Sequence, residues 1–248
     1  MKKNLVIIPT YNEIENIEAI VEAVLMQPIE NLHLLIIDDN SPDGTASQVK
    51  KMQKTYDERL HIIERSGKLG LGTAYITGFE WALQNGYDYI FEMDADFSHN
   101  PEDLQQLYYA CVGEKADLAI GSRYKSGVNV VNWPIGRVLM SYFASVYVRF
   151  ITGMKIMDTT AGFKCYHRDV LETIDFRKIK FKGYCFQIEM KFTAWKYGFN
   201  VVEVPIVFTD RKKGASKMSG GIFNEAFWGV IMIKLRSFFR KYKKKQNS

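Results

Sequence analysis

Short apolar runs alternate along the chain with longer segments in which apolar residues recur at helical spacing. The runs at 5–8, 32–37, 60–63, 87–93 and 118–121 read as strands, and 14–26, 45–55, 73–85 and 101–112 as the helices between them. Such alternation builds crossover units, so the predicted class is α/β, with a Rossmann-like, mostly parallel sheet flanked by helices. The helix expected from residue 101 carries its own start signal: Asn100 offers a cap, Pro101 suits the first helical position, and Glu102 and Asp103 place acids in the first turn.

Residues 125–136 read as loop. Beyond them an aromatic helix over 138–150, a strand about 162–167, a helix over 184–197 and strands at 201–204 and 206–209 complete the same domain, which is expected to span 1–221. Residues 222–248 form an amphipathic helix and a basic tail. Phe223, Phe227, Ile231, Leu235 and Phe238 fall near one helical stripe, with Asn224, Glu225, Arg236 and Arg240 away from it. No segment reaches the roughly 18 uninterrupted apolar residues of a membrane span.

A composition of 47% hydrophobic and 25% charged residues with 6 Pro supports a sizeable core and excludes a disordered or fibrous chain. The formal charge of +5 is local: after Glu225 there is no acid, while Lys234, Arg236, Arg240, Lys241, Lys243, Lys244 and Lys245 are all basic. Without them the body has slightly more acids than bases, which argues against nucleic acid as a partner and favours a membrane surface or a membrane protein partner for the tail. Cys111, Cys165 and Cys185 form neither a disulfide framework nor a zinc pattern, and the N-terminus lacks the apolar core of a signal peptide. The expected location is cytoplasmic, peripheral to the cytoplasmic face of a membrane.

In an open parallel sheet ligands bind beyond the carboxyl ends of the strands. The loops there are polar: Pro9 to Glu13, Asp38 to Thr45, Asp94 to His99, and Ser122 to Tyr124. Asp94 and Asp96 offer hard oxygen ligands to Mg²⁺ or Mn²⁺, ions that bridge carboxylates to substrate phosphates. Taken alone the same two residues read equally well as helix caps before Pro101, and Asp38 to Thr45 as a chain reversal. The glycines at 67, 70 and 72 do not follow the order of a dinucleotide-binding turn. Arg211 and Lys217 flank a Gly-Ala-Ser loop after the last strand, either as a cationic flap for a diphosphate or as a solvated basic loop.

Together the words PTYNE at 9–13, IDDNSPDGT at 37–45, KLGLGTAYITG at 68–78, MDADFSHNP at 93–101, GSRY at 121–124, GFKCYHR at 162–168, GYCFQIEM at 183–190 and DRKKGASKM at 210–218 resemble the family-2 inverting glycosyltransferases of GT-A fold. Within that family they are most similar to the dolichol-phosphate and polyprenyl-phosphate mannose synthases. The resemblance implies transfer of mannose from GDP-mannose to a polyprenyl phosphate. It implies that Pro9, Tyr11, Glu13, Ile37 and Asp39 hold the nucleoside end of the donor. Asp94, Ala95 and Asp96 would contact donor and metal, with Asp94 and Asp96 as metal ligands, and Arg123, Arg211 and Lys217 would grip phosphates. Asp96, Arg211 and Lys217 are the expected catalytic set. Where some relatives carry a metal-binding Gln this chain has Ser98, and Gln187 and Glu189 stand where sugar-accepting relatives carry a base. The alternatives are a UDP-glucose-dependent polyprenyl-phosphate glucosyltransferase and a non-catalytic nucleotide-sugar-binding subunit.

Overall fold

The computed structural model describes residues 2–211 and 222–243. Its strands are β1 (Asn4–Thr10), β2 (Leu32–Asp38), β3 (Leu60–Glu64), β4 (Tyr89–Glu92), β5 (Leu118–Ser122), β6 (Val130–Val131), β7 (Lys164–His167), β8 (Val201–Pro205) and β9 (Phe208–Thr209). The helices are α1 (Ile17–Leu25), α2 (Thr45–Tyr56), α3 (Leu71–Gln84), α4 (Asp103–Val112), α5 (Ile135–Thr152), α6 (Arg168–Thr173), α7 (Cys185–Lys196) and α8 (Ile222–Phe238). Among these residues a seven-stranded sheet runs β3-β2-β1-β4-β7-β5-β8, and a two-stranded ribbon pairs β6 with β9.

The expected α/β class is the observed one. Strands β1 to β4 are joined in parallel, β1 in register with β2 from Asn4 opposite Leu32 to Thr10 opposite Asp38. Because parallel strands end together, the loops after β1, β2 and β4 emerge on one rim. Side chains alternate between faces along a strand. Val6, Ile8, Leu34 and Ile36 accordingly pack with Ile20, Val21 and Val24 of α1, Val49 of α2 and Leu104 of α4, whereas Leu5, Ile7, Leu35 and Ile37 pack with Tyr75 and Phe79 of α3 and Phe186 of α7. A sheet covered on both sides reads as continuous apolar runs.

Three elements differ from the sequence expectation. The strand near residue 162 enters as β7, antiparallel to both β4 and β5 and wedged between them. Residues 125–136 contain β6, which pairs with β9, and α5 starts at Ile135. Helix α4 starts at Asp103, after a turn in which Asn100 accepts the N–H groups of Glu102 (3.2 Å) and Asp103 (3.0 Å), so Asn100 caps a turn ahead of the helix.

Helix α8 docks against α5 and α7 through Val230, Ile233 and Ser237, with the Tyr147 hydroxyl donating to the Phe227 carbonyl at 2.9 Å. Phe227, Trp228, Leu235 and Phe238 remain exposed, so much of the predicted apolar stripe points away from the domain. Phe223, part of that stripe, has no described side-chain environment. None of the described helices is long and apolar enough to cross a membrane.

Close packing of α3 on β1 depends on Gly78, where an added Cβ would lie 2.8 Å from Ile7. Gly78→Ala is expected to lower unfolding stability by about 1–3 kcal/mol through overpacking, measured as a shift in the urea midpoint. Gly67→Ala, at a position with open space, should leave the midpoint nearly unchanged.

Candidate active site

Three rim loops turn sharply at non-glycine residues in the left-handed region: Asn12 (φ 54°), Asn40 (φ 59°) and Phe97 (φ 59°). Asn tolerates this conformation, but at Phe97 it costs on the order of 1–2 kcal/mol. The turn at Phe97 brings the Ser98 N–H to within 3.0 Å of Asp96 Oδ1 and folds the loop back over the end of β4.

The two acids at the end of β2 divide their roles. Asp38 is fully buried and accepts from the Thr10 hydroxyl (2.9 Å), the Ser41 N–H (2.8 Å) and the Ser41 hydroxyl (2.6 Å), tying the second loop to β1. Asp43 accepts from Ile14 N–H (3.0 Å) and the Thr45 hydroxyl (2.6 Å), stitching the first loop to the second. Asp39 instead receives Arg65 Nε at 2.6 Å, and Arg65 also donates to the Thr73 hydroxyl at 2.7 Å. Burial raises the Asp39 carboxyl above its usual range against the pull of Arg65. Lys68, from the loop after β3, places its Nζ 5.1 Å from the ring centre of Tyr11 on the first loop, where Glu13 accepts from Asn16 Nδ2 at 3.0 Å. The Ile37 side chain is fully buried in the sheet core and that of Ala95 nearly so, which restricts any ligand contact from Ile37 to its backbone. Pro9 is half-buried on β1.

A cavity of about 270 Å³ opens beyond β4 and β5, and its walls include Asp94, Asp96, Arg123, Arg137, Gln187 and Arg211. The structure therefore brings the expected Asp94, Asp96, Arg123 and Arg211 together; Lys217 lies outside the described residues. Arg211 Nη2 pairs with Asp96 Oδ2 at 3.2 Å. Asp94 keeps 42% of its side chain accessible at the mouth. Crowding by protein and the adjacent Asp96 charge push the Asp94 carboxyl up to about 7, against the pull of Arg211. His99 also lines this cavity; burial pushes it down to about 4, so it is neutral near pH 7 and its Nδ1 accepts the Asp94 N–H at 3.3 Å.

Two aspartates from one loop form a hard oxygen donor set, and a divalent cation relieves the repulsion that raises Asp94, so Mg²⁺ or Mn²⁺ fits these residues. Among the described residues no group of three His, Cys, Asp or Glu side chains is arranged to hold a metal ion.

Arg123 is a differently placed cation from the one expected. Its Nε and Nη2 donate to both Asp158 oxygens at 2.7 Å, and Nη2 also reaches the Thr160 hydroxyl at 2.7 Å. Burial works against both charges, but their pairing outweighs it and holds Asp158 below and Arg123 above its ordinary value. Glu203 fixes this pair from behind, accepting the N–H groups of Met157 (2.7 Å) and Asp158 (2.8 Å). Arg123 thus shows the cavity a guanidinium already neutralised by a partner.

Gln187 and Glu189 face opposite ways. Gln187 lines the cavity with both ends committed: Nε2 donates to Glu92 Oε2 at 2.7 Å, and Oε1 accepts from the fully buried Lys164. Glu189 turns to the loop before α7, where its Oε2 accepts the N–H groups of Lys180 (2.9 Å) and Phe181 (3.0 Å).

Sequence reasoning did not single out Arg65, Asp158 or Arg137, and it quoted His99 only as part of a loop. Arg65 follows a strand end, which is a usable signal. Arg137 stands where loop was expected to give way to helix; it pairs with Asp210 at 2.9 Å and lies 4.0 Å from the Trp133 ring centre. A larger depression of about 680 Å³ between α4 and β8 contains Glu203, already committed as above, and no comparable convergence of charge.

The model of the family described as glycosyl transferase family 2 matches residues 5–175. The chain is 48% identical over 234 residues to a polyprenol monophosphomannose synthase of Mycolicibacterium smegmatis, covering 92% of this chain and 88% of that one. It is 45% identical over 231 residues to an undecaprenyl-phosphate mannosyltransferase of Micrococcus luteus, covering 91% and 93%. Among solved structures it resembles the glucosyl-3-phosphoglycerate synthase of Mycobacterium tuberculosis, crystallised with Mn²⁺, UDP and glucosyl-3-phosphoglycerate, with a TM-score of 0.67 at 15% identity, covering 95% of this chain and 79% of that one.

Removing one member of the Arg123–Asp158 pair leaves a buried charge alone. Asp158→Ala is expected to cost about 3–5 kcal/mol in a denaturant titration, and the double substitution Arg123→Leu with Asp158→Leu much less than the sum of the single ones.

Proposed function

The chain belongs to glycosyl transferase family 2, and from that premise we propose that it transfers mannose from GDP-mannose to a polyprenyl phosphate with inversion at the anomeric carbon. The observation that carries this reading is the character of the cavity wall. It joins two aspartates to Arg211 and Arg137, and at Gln187, a position where sugar-accepting relatives carry a base, it presents a carboxamide. A phosphate monoester is already ionised near neutral pH, its second pKa being about 6, and needs no strong general base. Likeness to the two mannosyltransferases supports mannose and the lipid phosphate, and GDP-mannose is the donor proposed with them.

In this reading Tyr11, Asp39 and Glu13, with Arg65 and Lys68, frame the nucleoside end, and Pro9, Ile37 and Ala95 border it through their backbones. Asp94 and Asp96 would hold Mg²⁺ or Mn²⁺, which when bound would supply positive charge to the donor diphosphate. Arg211 exchanges its pairing with Asp96 for the leaving diphosphate, together with Lys217. Arg137 receives the acceptor phosphate from the side of α5, whose Ile135, Leu139 and Phe143 are exposed and suit a lipid chain. Arg123 contributes mainly by holding the wall, since Asp158 neutralises it. Gln187 orients groups in the cavity and moves no proton. The exposed stripe of α8 and the basic tail lie against the membrane surface.

The test is transfer of labelled sugar into the organic phase from GDP-mannose, with UDP-glucose in parallel, to polyprenyl phosphate and Mn²⁺. Label from GDP-mannose alone is expected, and label from UDP-glucose alone would overturn the donor. Asp96→Asn should lower kcat at least about a hundredfold, as loss of a transition-state charge contact does. Arg137→Ala should mainly raise KM for the lipid phosphate while KM for the donor holds, a split that loss of fold would not produce.

A further inference from the structure

A second cationic pocket, of about 350 Å³, lies between α7, the loop before it and the end of α8, and is lined by Lys178, Lys180, Arg236, Arg240 and Lys241 with Glu189 as the single acid. The first two lysines are engaged locally: Lys178 leans on Asp175 at 3.5 Å, and Lys180 donates to the Arg177 carbonyl at 3.0 Å. Glu189 is engaged by two backbone N–H groups. Arg240 differs. Its guanidinium lies 5.9 Å from the Tyr197 ring centre and 5.4 Å from that of Tyr242, while its Nε and Nη2 are buried with no hydrogen-bond partner among the described residues.

Nε and Nη2 form one edge of the guanidinium fork, the edge that meets two oxygens of a carboxylate or phosphate. The Tyr242 hydroxyl and the Glu189 charge both act on Arg240, but the Nε and Nη2 edge itself stays unpartnered among the described residues, and in a pocket of net positive charge it suits an oxyanion. The rim narrows the choice, because Phe239, 92% exposed, lines the pocket and Phe238 beside it is 70% exposed. Leu235 and Trp228 of α8 are exposed as well, as are Phe143 and Phe150 of α5, against which α8 packs. A small soluble anion gains nothing from such a rim, whereas a lipid places its phosphate in a polar pocket and its chains along exposed aromatics.

We propose that this pocket is a binding site for the headgroup phosphate of an anionic membrane phospholipid, separate from the catalytic cavity, which seats α5 and α8 on the bilayer. The proposal rests on the reading above in so far as a lipid acceptor brings the enzyme to a membrane. Arg240 supplies the fork, Arg236 and Lys241 the surrounding charge, and Phe238 and Phe239 the apolar border.

The test is sedimentation of the full chain with phosphatidylcholine vesicles made with and without phosphatidylglycerol, at fixed ionic strength. Arg236→Gln with Arg240→Gln is expected to weaken binding to phosphatidylglycerol vesicles about tenfold. Lys51→Gln with Lys54→Gln, which removes equal charge from exposed positions of α2, should change it less than about twofold. Arg240→Lys should remain weak, because an ammonium lacks the fork. Circular dichroism confirms that each variant is folded. Equal weakening by both double substitutions would mean diffuse attraction and overturn the pocket. Release of the wild-type chain from vesicles by millimolar inorganic phosphate, matched for ionic strength, would make this a free-phosphate site and overturn the lipid assignment. Sugar transfer to detergent-dispersed polyprenyl phosphate separates the two readings: activity there with no pocket effect on vesicles sinks the pocket alone, and a pocket effect without activity sinks the proposed reaction alone.

Discussion

Repulsion among carboxylates gathered at one end of a sheet is the constraint that the rest of this structure answers. Strands running the same way deliver Asp39, Glu92, Asp94 and Asp96 to a common rim, and a rim of like charges in a partly dry environment is unstable unless each acid finds a cation. The chain supplies them individually: Arg65 to Asp39, Lys164 to Glu92, Arg211 to Asp96, with Arg123 to Asp158 and Arg137 to Asp210 extending the pattern. Asp94 is left beside a neutral histidine and crowded by Asp96, and its carboxyl is pushed furthest towards protonation, up to about 7. The place where the internal pairing runs short is the place where external positive charge fits.

These pairs differ in how readily they can be exchanged. Arg123 with Asp158 is dry on all sides and fixed from behind by Glu203, so breaking it strands a charge. Arg211 with Asp96 involves a guanidinium that retains 26% of its surface, and Arg137 with Asp210 is similarly open on both members. An open pair such as Arg137 with Asp210 is worth little in water, so a substrate phosphate can replace its carboxylate at small cost, whereas Asp96 is buried and gives up Arg211 cheaply only where another positive charge takes its place. The same residue type is therefore locked in a dry pair at 123 and held in more open pairs at 137 and 211.

Much of this was legible in the sequence. Alternation gave the positions of the first four strands along the chain, though not their order in the sheet, because a strand covered on both faces is apolar throughout and its helices carry their own periodicity. The loops at strand ends pointed to Asp94, Asp96 and Arg211. What the sequence could not display was direction. Asp38 and Asp39 are adjacent, yet one is a buried tie between loops and the other faces Arg65, a difference set by a single step of the strand's two-residue period. Gln187 and Glu189 stand two apart on a helix, about 200° around its axis, so they serve different pockets. Arg123 has no sign in its own neighbourhood of Asp158, thirty-five positions away. β7 was read as a strand without its antiparallel sense, since four residues do not specify a direction and the helix α5 before them returns the chain to pair with β5 in the opposite one.

The division between Gln187 and Glu189 also bears on what the cavity can accept. A carboxylate at the Gln187 position would sit against Glu92, adding a second negative charge to a buried site that holds the single cation Lys164. That arrangement would raise one of the acids and could create a base, which transfer to a neutral hydroxyl requires. The carboxamide instead completes the network without charge: it donates to Glu92, accepts from Lys164, and leaves that ion pair balanced. A wall that offers a carboxamide and no acid at position 187, faced by arginines, is chemically matched to an acceptor that arrives already ionised. In the proposed reaction a preference for a phosphate over an alcohol would thereby rest on the buried layer beneath the cavity as well as on the arginines that line it.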